Sequence, residues 1–145
     1  MAMFYRTDLS SYAEAGYPKI VTVRSPDELN EYYENNKDVY QFHHGFGGDT
    51  DMADDVFSNK TRYGAEFFGN NFLLFVILEE GSGSVRHRVE PVSPENGPLS
   101  VRITRIVPEI GTSDMAQWHV MLALDRSFLD MDVAVVIDDE YLADQ

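Results

Sequence analysis

Glu80, Arg86, His87, Arg88, Glu109, Asp114 and His119 are the residues of this chain whose types and spacing could do chemistry. With Glu79, Arg105 and Thr112 they flank strand-like stretches, several of them around the turn at Gly81 or in the connection before Trp118. A histidine and a carboxylate converging in a cleft can exchange protons with a substrate. On that reading the cluster belongs to a small hydrolase or a ligand-binding protein. The same residue types also build cross-strand ion pairs. Arg86 and Arg88 alternate with Val85, His87 and Val89, so the two arginines share a face and can meet acids on a neighbouring strand. His87 then falls on the apolar side, where a hydrogen-bonded core histidine is expected instead of a base. No residue is assigned a catalytic role on this evidence.

Other patterns fail when their chemistry is checked. The histidines are His43, His44, His87 and His119. They form no His-Glu-x-x-His pair, and the adjacent His43 and His44 would point apart on a strand. The segment Asp49-Thr-Asp51-Met-Ala-Asp54-Asp55 has the look of a calcium loop. It lacks an oxygen ligand at Ala53, a glycine at Asp54 and the bidentate glutamate at Lys60. A solvated helix start suits it better, because aspartates are favoured at a helix N-terminus. Gly81-Ser82-Gly83-Ser84 lies between two strands and not before a helix, so it reads as a turn and not as a phosphate cradle. There is no cysteine, which removes thiolate nucleophiles, thiolate metal sites and disulfides. Neither metal nor cofactor is expected.

The elements that position these residues follow from pattern. Lys19 to Arg24 is β-branched and alternating, which predicts a strand. Ser25-Pro26-Asp27-Glu28 then starts a helix with a cap, a first-turn proline and a capping-box glutamate. Leu29, Tyr32, Tyr33 and Asn36 form its inward stripe, and it runs to about Asn36. An irregular stretch from Tyr40 to Asn59 holds a short acidic helix, and a further helix is expected from Thr61 to Gly69. The second half is all strand. Phe72 to Leu78 is apolar on both faces and belongs in the middle of a sheet. Val85 to Val92 returns from the Gly-Ser turn, so an antiparallel hairpin is expected from Phe72 to Val89. Turns at Pro94 to Pro98 and Asp130 to Asp132 bound three later strands: Leu99 to Val107, Gln117 to Asp125 and Val133 to Ile137. In the second of these, Trp118, Val120, Leu122 and Leu124 alternate inward.

The expected class is α+β: an antiparallel sheet or partly closed barrel of about six strands, with two to three helices in the N-terminal half. Residues 1 to 18 read as an irregular lead-in, and 19 to 145 as a single domain. The 145-residue length suits one hydrophobic core. A net charge of −14 opposes binding to nucleic-acid phosphates and to anionic membranes. No apolar run approaches the roughly 20 residues of a membrane span. Met1 to Arg6 has no basic region followed by an apolar core, so no signal peptide is expected within this sequence, which fits either a cytoplasmic protein or one whose export segment has been removed.

Leu78-Glu-Glu-Gly-Ser-Gly-Ser-Val-Arg-His-Arg-Val89, Val107-Pro-Glu109 and Thr112-Ser-Asp-Met-Ala-Gln-Trp-His-Val120 together resemble uncharacterised exported, often lipid-anchored proteins of gut Firmicutes. More distantly, residues 19 to 137 are similar to the C-terminal domain of the protease-complex subunit PrcB. The resemblance implies an extracytoplasmic, cell-envelope lipoprotein setting and an export segment ahead of this sequence. It also implies a non-enzymatic accessory or protein-binding role, with another envelope protein as partner. It carries no site residues with it.

Overall fold

A computed structural model describes residues 2–9, 16–43, 51–90, 99–129 and 133–142. The turns expected at 94 to 98 and 130 to 132, and His44, lie outside these residues. In chain order the elements are β1 (Ala2–Arg6), β2 (Lys19–Val23), α1 (Pro26–Asn36), a π-helical turn (Ala53–Phe57), α2 (Ala65–Asn70), β3 (Asn71–Glu80), β4 (Arg86–Val89), β5 (Leu99–Val107), β6 (Ala116–Asp125), a 3-10 turn (Arg126–Phe128) and β7 (Val133–Tyr141). The class is α+β, with the longer helices in the N-terminal half and the sheets open. Two compact units can be described: Met1–Glu79 with Ala116–Ser127, and Glu80–Met115 with Phe128–Gln145.

The first unit is built on a four-stranded sheet in the order β1-β6-β3-β2. Ser25 caps α1 as the sequence required: its backbone is extended and its Oγ accepts a hydrogen bond from the Glu28 amide at 3.1 Å. Ser25→Ala is therefore expected to cost about 1 kcal/mol, as a lower urea midpoint with unchanged slope. Leu29, Tyr32 and Tyr33 of α1 join a core with Leu73, Phe75 and Ile77 of β3, Met121 of β6, and Tyr40, Phe42 and Val56. The other side of β3, Phe72, Leu74, Val76 and Leu78, is buried as well. Burial on both faces fits its uninterrupted apolar run and its interior place in the sheet. The expected irregular lead-in begins with a strand, since β1 pairs antiparallel with β6 from Ala2 opposite Leu122 to Arg6 opposite Trp118.

The second unit holds a three-stranded sheet in the order β4-β5-β7. β4 is antiparallel to β5, and β7 is parallel to it. Leu99, Val101 and Ile103 on one face of β5 are fully buried, while Arg102 on the other is exposed.

The strand count comes close to the six expected: seven among the described residues, divided between two open sheets. Two expectations change. The sheets are not wholly antiparallel, because β7 joins β5 in parallel, and the tail acids Asp138 to Glu140 belong to β7. The Phe72–Val89 hairpin does not form. β3 lies inside the four-stranded sheet and β4 edges the three-stranded one, so the Gly81–Ser84 segment carries the chain from one sheet to the other. A turn fixes where a strand ends, but the partner is decided by the faces each strand must bury.

Candidate functional site

The antiparallel and parallel registers of the second unit place His87, Arg105 and Asp139 on one rung: His87 faces Arg105, and Arg105 faces Asp139. Glu80 meets this rung. Its carboxylate is 2.8 Å from His87 Nε2 and accepts from Arg105 Nε at 2.9 Å and Arg105 Nη2 at 2.5 Å. Arg105 also donates through Nη1 to Asp139 at 2.7 Å. The side chains of Glu80 and His87 are each 1% exposed. Burial alone would raise the Glu80 pKa, but the hydrogen bonds from His87 and Arg105 outweigh it and hold the carboxyl below its usual range.

The remaining expected members do not converge on this rung. Arg86 donates to the carbonyls of Gly83 and Val85. Arg88, on the exposed face, bridges Glu90 and Glu140. Asp114 accepts from the Gly83 amide at 3.3 Å. Glu109 is exposed on the connection after β5. The cross-strand ion-pair reading thus describes Arg88, and the core-histidine reading describes His87.

His119 belongs to the first unit. It is fully buried, with the rings of Tyr32, Tyr40, Phe42 and Phe75 packed around it. Its Nδ1 is hydrogen-bonded to the Thr7 hydroxyl, and its Nε2 to the Tyr32 hydroxyl at 2.7 Å. Burial, with a small contribution from Lys19, pushes its pKa down to about 3. A neutral imidazole bonded at both nitrogens, closed from solvent, is a structural group. It sits on the face of β6 turned toward α1.

Asp51 does what a helix start asks, its Oδ1 accepting from the Asp54 amide at 2.7 Å. The ligand atoms of His43, Asp51 and Asp54 lie within 4.8 Å of one another. Asp51 is engaged by the Asp54 amide, and His43 Nε2 by the Tyr33 hydroxyl at 2.7 Å.

Two concave features are lined wholly by the first unit. One, between α1 and the segment from Val56 to Ala65, is lined by Leu29, Phe57 and Tyr63 among others. The second is a groove of about 450 Å³ between β2 and α1, lined by Val21, Thr22, Val23, Glu28, Glu31, Tyr32, Asn35 and Asn36. Neither includes Glu80, His87 or His119. The β2 groove escaped the sequence reading because Glu28 was absorbed as a capping-box residue and Glu31 lies off the inward stripe of Leu29, Tyr32, Tyr33 and Asn36. Its signal was present in the edge-like brevity of β2 and in the polar stripe of α1.

Fold and site together define an α+β chain with two open sheets, a buried ion-paired rung and a sheet edge beside an acidic helix face. Comparisons with protein-family models, curated proteins and solved structures find no match. Among the described residues, no helix is long and apolar enough to cross a membrane.

Proposed function

We propose that this chain is a non-enzymatic protein-interaction domain that receives an extended segment of its partner along β2. The observation that carries this reading is the sheet order. β2 ends the four-stranded sheet, and no described strand pairs with its outer side. A free edge presents unpaired N–H and C=O groups to an added strand. Ile20, in the middle of that edge, is 45% exposed. The cell-envelope setting and an envelope partner rest on the family resemblance alone. A hydrolase using the His/carboxylate set has less support, since the buried Glu80 carboxylate is engaged by both His87 and Arg105.

A photo-crosslinking residue placed at Ile20 tests this, with one at Ile110, which is 87% exposed in the second unit, as the control. In cells that make the protein, Ile20 is expected to give a discrete adduct that Ile110 does not. Equal labelling from both positions, or none from Ile20, overturns the proposal.

A further inference from the structure

We infer that the segment received by β2 is a basic, extended stretch of a partner protein, with Lys or Arg at alternate positions and β-branched apolar residues between them. This rests on the reading of β2 as a docking edge and specifies what docks there.

The face of β2 toward α1 carries Lys19, at the start of the strand and outside the groove lining, then Val21 and Val23, which pack with the core that includes Leu73 and Phe75. Ile20 and Thr22 point to the opposite face, because strand side chains alternate. A strand added beside β2 would alternate in the same way. Its residues on the α1 side would enter the groove, where Glu28, Glu31, Tyr32, Asn35 and Asn36 form the helical wall. These positions share one stripe of α1 by their spacing. Two carboxylates and two amides stand on that wall, and no lysine or arginine lines the groove. Glu31 has no ion pair among the described residues, and Glu28 has only the exposed Arg24 at 3.4 Å. Long cationic side chains suit such a wall, their stems covering the half-buried Val21 while their heads reach the carboxylates. The residues on the other side would lie next to Ile20, where a β-branched neighbour packs best. The five residues of β2 set the length of the docked stretch at about five.

Three end-blocked octapeptides test the inference on the full chain: alternating Lys-Val, alternating Ser-Val and alternating Glu-Val. Binding is followed by amide shifts of Lys19–Val23 in NMR titrations at low and at raised salt. Lys-Val is expected to shift these amides and to bind about tenfold more tightly than Ser-Val, the scale of two exposed ion pairs. Glu-Val should be weaker still, and salt should erode the Lys-Val advantage. The paired variant Glu28→Gln with Glu31→Gln should remove that advantage while leaving the amide spectrum outside the groove in place. If Ser-Val shifts β2 as strongly as Lys-Val, the docking edge stands and the basic occupant is overturned. If none of the three shifts β2, both readings fall.

Discussion

Arg105→Met will destabilise the second unit by about 3 kcal/mol, the low end of the cost of stripping the partner from a buried charge. The low end applies because the Arg105 side chain is 28% exposed, whereas Glu80 is 1% exposed. Without the guanidinium, the Glu80 carboxylate keeps His87 but loses the two short bonds from Arg105. Hydrogen exchange of the β4, β5 and β7 amides reads the unit by itself. Adding Glu80→Gln to the variant should recover much of the loss, since a neutral amide does not need the cation. The pH dependence has a definite sign. The Glu80 pKa is lowered in the folded chain, so its contribution is complete above the ordinary glutamate value and is lost as pH falls through the folded one. Arg105→Met should flatten that acid limb. A variant as stable as the parent, with the acid limb unchanged, would mean that Glu80 is not held by Arg105.

Glu80 and His87 were legible from the sequence as polar residues beside a turn, and the inward place of His87 followed from its alternation with Arg86 and Arg88. Arg105 stood in view as a strand residue, but nothing local says which residue it faces. Asp139 lay beyond the expected end of the last strand at Ile137, because a parallel partner is chosen by long-range register and leaves no turn signature. The failed hairpin has a related cause. β3 is apolar at every step from Phe72 to Leu78, whereas β4 alternates the exposed Arg86 and Arg88 with the inward His87 and Val89. That difference already separated a strand buried on both faces from one with a solvated side, and it outweighs the nearness set by a short turn. β6 held a similar warning. Taking Trp118, Val120, Leu122 and Leu124 as the inner face made His119 an outer residue, yet Met121 and Ala123 on its side are also apolar. A strand with apolar residues on both sides places a lone histidine inside.

The burial of His119 has the largest consequence for acid stability. Its folded pKa is about 3, while an unfolded histidine titrates near 6.5. The folded pKa is depressed, so the unfolded chain takes up the proton first. The stabilisation is complete above pH ~6.5 and is lost as pH falls toward the folded value. At about 1.4 kcal/mol per pH unit for one proton, the first unit should lose roughly 2–3 kcal/mol between pH ~6.5 and ~4.5. That window lies above the one in which Glu80 takes up its proton, so the two can be separated in one series of urea titrations. His119→Leu removes the site of protonation and should flatten this upper window. At neutral pH the same variant should be less stable by about 2–5 kcal/mol, because the buried Thr7 and Tyr32 hydroxyls lose their shared partner. Losing stability at pH 7 while gaining indifference to mild acid is a pairing that a simple packing defect does not produce. Should the His119 ring resonances titrate near 6.5 in the folded chain, the histidine is open to water and the sealed aromatic setting around it is refuted.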